Sequence, residues 1–290
     1  MFTRCLLLCC ALVFTAACSG ERGKLDKARE RVFHKDFTGA AALYHTVLID
    51  LGRDESPQAR DLRAAALSAL GDLYYLNLDD PAQAVRNYRE LAERYPERPE
   101  AFDARAHLAE ILKDKFHDTR AALAQLAALV QSFPNHLDTD RYQYRAAQDY
   151  FELRDYAQTE TELKLLLARY PGSGVRIDAQ MLLASSLALQ GRRPEALALY
   201  AQIAREHPGA DAGRANFEVA RLYEESREYD KAETALAKAL ADHPEPTLVA
   251  AALERVKKRA ARVRPVDIHD HAAVFDHKVA QNALQGEGGD

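Results

Sequence analysis

The 290-residue chain has no tryptophan, two methionines and four cysteines, and all four cysteines (Cys5, Cys9, Cys10 and Cys18) fall within the first eighteen positions. Beyond Cys18 no disulfide framework, cysteine zinc site or thiol nucleophile can exist. No apolar run reaches the ~20 residues that a membrane-spanning helix needs; Cys5 to Phe14 is about half that length. Positive charge is not in excess: 39 Lys and Arg against 44 Asp and Glu leave a formal charge of −5, which argues against a nucleic-acid binder. Nucleophile elbows, metalloprotease helices, phosphate-binding loops and dinucleotide fingerprints are missing. Gly172-Ser173-Gly174 has only the look of a catalytic or phosphate loop, and its setting is that of a plain turn. These absences predict a protein that is not an enzyme and needs no cofactor.

What the chain does have is a period. A small residue is followed twelve positions later by proline in five pairs: Ala84/Pro96, Ala122/Pro134, Thr159/Pro171, Ala196/Pro208 and Ala232/Pro244. Ahead of each pair stands another small residue, Gly71, Ala109, Ala147, Ala184 or Ala220, with a large residue three positions on. The spacings are helical, because the same face returns at i+3 and i+4. Two helices approach closely only over small side chains, so glycine or alanine belongs at both crossing points. Proline ends the second helix, just after Tyr95, Phe133, Tyr170, His207 or His243. Asp140, Ser173 and Asp211 are expected caps after the prolines.

Leu70-Gly71-Asp72-Leu73-Tyr74 with Ala84, Tyr88 and Pro96 resembles the tetratricopeptide repeat. A looser first copy runs from Lys24 to Leu51, with Ala28, Phe37, Ala40 and Tyr44 in phase and Gly52 where proline belongs. The resemblance implies an all-α fold: a right-handed superhelix of five to six helix-hairpin repeats over 24–262. Thr247 to Arg262, with Val249, Leu253, Val256 and Ala260 on one face, reads as its capping helix.

At the N-terminus, Arg4 precedes the apolar run, and Thr15-Ala16-Ala17 precede Cys18. This pattern resembles a bacterial lipoprotein signal. It implies removal of 1–17, lipidation of Cys18, a short tether over 18–23, and an outer-membrane anchor with the chain facing the periplasm. Cleavage after Ala17 to a soluble periplasmic protein is the other reading. Residues 263–290 read as a polar tail. Its Asp267, His269, Asp270, His271, Asp276 and His277 suit solvent, a metal, or a short partner-binding helix over Ala272 to Leu284. Arg255, Lys257, Lys258, Arg259, Arg262 and Arg264 suit a helix C-terminus, an anionic lipid or an acidic partner.

In the tetratricopeptide family the first helices line a concave groove that binds protein segments. Carried over by position, the groove residues are Tyr75, Arg141, Tyr144, Phe151, Met181, Arg214, Phe217 and Arg221. Leu76, Asp103, Glu110, Lys113, Gln148 and Asp178 map to the same face, and the alternative for Phe151, Met181 and Phe217 is packing between helices. Tyr-Pro endings and lengthened loops make the repeats similar to those of the barrel-assembly lipoprotein of the outer membrane. The expected role is a scaffold or adaptor for envelope proteins. A part of pilus, secretin or exopolysaccharide export machinery, or a regulator of cell-wall hydrolases, is the alternative.

Overall fold

The computed structural model describes residues 20–263, which form thirteen α-helices and no strand. The expected signal segment, Cys18 and residues 264–290 lie outside the described residues. Helix α1 covers residues 20–33. It is followed by α2 (Phe37–Leu51), α3 (Pro57–Leu76), α4 (Pro81–Arg94), α5 (Pro99–Asp114), α6 (Thr119–Ser132) and α7 (Thr139–Glu152). Next come α8 (Tyr156–Arg169), α9 (Arg176–Leu189), α10 (Arg193–Glu206), α11 (Ala210–Glu225), α12 (Tyr229–Asp242) and α13 (Pro246–Val263). Six hairpins and one further helix result, the architecture expected from the period. Helix α1 begins at residue 20, ahead of Lys24, so residues 20–23 of the expected tether are helical.

The described residues divide into two compact units, one ending at Ser186 and one starting at Leu187. The boundary falls inside α9, and no change of composition marks it. Within each unit, helices pack on their neighbours in sequence, and α3 also touches α5. The crossing residues are buried as the period requires: Gly71, Ala109, Ala147 and Ala220 in first helices, Ala40, Ala84, Ala122 and Ala232 in second helices. Thr159 fits an alanine position because its hydroxyl donates to Asp155 O of its own helix at 2.9 Å. Tyr88, Leu126, Leu163 and Leu236 are buried beside these crossings, each contributing about 1.5–3 kcal/mol.

The turn inside each hairpin repeats one device. A residue with positive φ (Lys35, Asp79, His117, Arg154, Gly191 or Arg227) closes the first helix. The next residue starts the second. In four hairpins it is an aspartate, Asp36, Asp80, Asp118 or Asp155, whose carboxylate accepts an N–H of the first turn at 2.9–3.1 Å. The expected caps at Asp140 and Asp211 are not N-caps. Both sit in a first helical turn, two residues past the N-cap (Asp138 and Gly209), where a carboxylate still meets the positive helix end. Ser173 accepts from Val175 N–H at 3.2 Å, just ahead of α9.

The first hairpin ends on Gly52 (φ 47°) instead of proline. Its last carbonyls are satisfied by Arg63 of α3, which is 2% exposed. The guanidinium donates to Gly52 O at 2.8 Å, Asp54 O at 3.2 Å and the Tyr95 hydroxyl at 3.0 Å. Helix α13 buries Val249, Ala252, Val256 and Ala260, as a terminal cover should, with Leu253 half-buried beside them.

Candidate protein-binding face

The first helices α3, α5 and α7 carry the expected binding residues of the first unit apart from Met181, which is on α9, and polar links run between these three helices. The Tyr75 hydroxyl donates to Glu110 Oε1 at 2.7 Å, joining α3 to α5. Burial, with this carboxylate beside it, pushes the Tyr75 phenol up to about 12. Lys113 joins α5 to α7 through Asp149 Oδ1 at 2.5 Å and Glu152 Oε2 at 2.8 Å. Asp149 is buried, so this ion pair is partly desolvated and more than a surface contact. Arg145 and Asp114 lie near enough to Tyr75 to act on it electrostatically. Leu76 projects from the same end of α3, 67% exposed.

The other expected residues are distributed as follows. Arg141 is exposed and bonded to Asp138 at 3.2 Å. Tyr144 and Met181 are half-buried. Phe151 meets Tyr156 edge to face, ring centres 5.4 Å apart, at the turn of its own hairpin. In the second unit Arg214 bonds Asp211 at 3.3 Å, and Arg221 bonds Glu218 at 2.9 Å and Glu225 at 3.3 Å. Phe217 packs on His243 at 5.2 Å and against the apolar cluster of α11–α13.

Two features stand out. All three arginines pair with acids three or four residues away in sequence. Exposed pairs of this kind are worth about 0–1 kcal/mol, so an acidic partner segment could displace the acids at small cost. Phe151 and Phe217 spend much of their area inside their hairpins. Sequence spacing left out Arg145 and Tyr142, whose surroundings are electrostatic: Tyr142 feels Asp103, Arg145, Asp138 and Glu110. Such cross-helix neighbours have no local sequence signal.

Among the described residues no group of three or more His, Cys, Asp or Glu side chains could hold a metal ion. No helix among them is long and apolar enough to cross a membrane. The histidine-rich tail lies outside them.

Comparison with known proteins adds the family of the repeats. Tetratricopeptide repeat models match residues 65–98, 144–211 and 187–256. A search of curated proteins returned no match. Among solved structures, the apo form of RapI is similar at 13% identity with a TM-score of 0.53, covering 92% of this chain and 77% of its own. MamA is 20% identical with a TM-score of 0.47, covering 59% of this chain and 93% of its own. PilW, described as a type IV pilus biogenesis factor, is 16% identical with a TM-score of 0.45, covering 79% and 97%. At these identities the likeness extends to the fold alone.

Proposed function

We propose that this chain of tetratricopeptide repeats is a periplasmic scaffold held at the outer membrane by a lipidated Cys18, and that it binds protein segments across its first-helix face. The observation that carries the binding half is the face itself. Tyr75, Glu110, Lys113 and Asp149 fix α3, α5 and α7 side by side, and Leu76, Tyr144 and Arg141 stand on that frame. A rigid frame lowers the ordering cost of capturing a flexible segment.

The anchoring half rests on the small residues before Cys18. Helix α1 starts at residue 20, so on this reading only about 7 Å of extended chain separates the acylated residue from the fold. The first hairpin is then confined to the membrane surface. The role we favour, from the Tyr-Pro endings and lengthened loops of the repeats, is an adaptor in outer-membrane protein assembly.

The test has two parts. Cys18→Ser should move the protein from the membrane fraction to the soluble periplasmic fraction; unchanged fractionation contradicts lipidation. Detergent co-purification should then recover barrel-assembly subunits. Secretin or pilus subunits, or murein hydrolases, would reassign the partner while leaving the scaffold reading intact.

A further inference from the structure

Each hairpin-ending proline lacks the N–H that would otherwise reach the carbonyl four residues earlier. Pro96 and Pro134 have no N–H to give the carbonyls of Ala92 and Val130, four residues earlier in α4 and α6. At Ala92 the defect is repaired within the chain. Arg105 of α5 donates through Nη2 to Ala92 O at 2.9 Å and through Nη1 to Gln125 Oε1 of α6 at 3.2 Å. One guanidinium thus bridges two second helices across the first helix between them.

One repeat later, all three positions recur with different side chains. Val130 stands for Ala92, Gln143 for Arg105 and Glu162 for Gln125, each at the same distance from its repeat's small or proline landmark. Gln143 is the shorter side chain. Its Nε2 reaches Glu162 O at 3.4 Å and Oε2 at 3.3 Å on α8, and no bond is made toward α6. Gln143 is 3% exposed, yet its Oε1 has no protein donor. An open cavity of about 500 Å³ lies where the bridge is missing, lined by Leu126, Ala127 and Val130 of α6, Gln143 of α7, and Glu162 and Leu165 of α8, among others.

Along the cavity lie the Val130 carbonyl, Gln143 Oε1 and the Glu162 carboxylate; the carboxylate accepts from the neutral amides of Gln143 and, at 3.0 Å, Gln158, and no arginine bridges these acceptors as Arg105 does one repeat earlier. Replacing the neutral Gln125 by an acid makes the set more attractive to positive charge than its counterpart. Arg169 also lines the cavity, with its guanidinium lying over the Tyr170 ring at 5.7 Å. The walls are apolar. Leu165 is 54% exposed, and residues 121–137 hold no Asp, Glu, Lys or Arg in a chain that is 29% charged. The groove between α10 and α12 in the second unit differs, being lined by Asp230, Lys231 and Lys238.

We propose that the α6–α8 groove is a second docking site, taking an arginine side chain from a partner protein segment in the place that Arg105 fills from within the chain one repeat earlier. The guanidinium would donate to Gln143 Oε1 and Glu162, and the apolar neighbours of that arginine would cover Leu165, which is half exposed on the groove wall. This inference is independent of the anchor and of the first-helix face.

The test uses the full chain in detergent, labelled with ¹⁵N in its glutamine side-chain amides. The probe is the capped peptide Leu-Ala-Arg-Ala-Leu. It should shift the Gln143 amide resonance, and its citrulline and norleucine versions should bind about tenfold more weakly or worse, since they lose a charge-assisted hydrogen bond. Gln143→Arg should restore the internal bridge, keep helix content and midpoint temperature, and abolish peptide binding. Ala127→Trp, at an exposed position on the groove wall, should block binding by bulk alone. Equal binding of the citrulline peptide, or binding untouched by both variants, overturns the proposal. So does argininamide binding as tightly as the peptide, which would make this a small-amine site, or no shift at millimolar peptide, which would leave a water-filled groove only.

Discussion

The Tyr88 ring occupies the space above Gly71: a methyl group on residue 71 would lie 2.3 Å from the ring carbon Cε1. The ring is held there by its hydroxyl, which donates to Asp72 Oδ1 at 2.6 Å. Gly71→Ala should therefore destabilise the fold by about 1–3 kcal/mol through overpacking. Three other repeats combine alanine with leucine at these positions: Ala109 with Leu126, Ala147 with Leu163, Ala220 with Leu236. Adding Tyr88→Leu to Gly71→Ala should recover most of the loss. Urea denaturation of the four-member cycle measures the coupling, and additive effects would contradict the packing relation.

A different glycine meets backbone. At Gly213 an added methyl would stand 2.4 Å from His243 N and 2.6 Å from Asp242 C, where α11 crosses the end of α12. A backbone cannot swing aside as a side chain can. Gly213→Ala should lower the midpoint temperature more than Gly39→Ala, whose close neighbours are the flexible side chains of Asp36 and Arg31. The reverse order in a thermal melt would refute the contact.

The hairpin turns hold residues in a conformation that costs L-amino acids about 1–2 kcal/mol. His117 (φ 55°) and Arg154 (φ 60°) are two of them. Replacing either by glycine relieves that strain while adding ~0.5–1 kcal/mol of backbone entropy to the unfolded chain. The expected outcome is a net gain of about 0.5–1 kcal/mol for each variant, read by differential scanning calorimetry. A loss would show that the side chains contribute more than the turn costs.

The covering helix α13 should be sensitive to acid. Glu224 of α11, with its side chain 10% exposed, accepts from Arg255 at 2.9 and 3.0 Å and from Arg259 at 2.8 Å. The bonds from Arg255 hold its carboxyl below the ordinary carboxylate value. The contribution is thus present above the unfolded-state pKa, about 4.3, and lost as pH falls through the lower folded-state value. Protection of the α13 amides from hydrogen exchange should decline below about pH 4.5. Glu224→Gln should lower that protection at neutral pH and flatten its acid response. A mutant with the wild-type pH profile would remove Glu224 from the explanation.

The hairpins were readable in the sequence because their constraints are chemical and local. Proline cannot donate an N–H, and helices cross only over small residues, so Pro96 to Pro244 and Gly71 to Ala220 keep phase. The capping aspartates, four residues before the small residue of the second helix, keep it as well and carry a signal that spacing alone would have found. The left-handed turn residues have no such uniform signal, since Lys35, Arg154 and Arg227 are residue types that rarely take positive φ. Arg63 was hidden for another reason: its partners lie on two separate segments, the end of the first hairpin and Tyr95 after α4, and a buried arginine looks like a surface one until those acceptors are in place. On the candidate face, Tyr75 lay in the expected phase, whereas the cross-helix partners Arg145 and Asp149 needed coordinates. The missing bridge at Gln143 became visible only against Arg105.

The most direct measurement places a photo-crosslinking residue at Leu76 or Arg141 on the first-helix face, and at Arg89 or Lys238 on second helices, in cells that make the protein. Irradiation at Leu76 and Arg141 should trap the same partner protein, with neither second-helix position trapping it. Trapping from Arg89 or Lys238 alone, or from none of the four, would contradict a scaffold that works through its first helices.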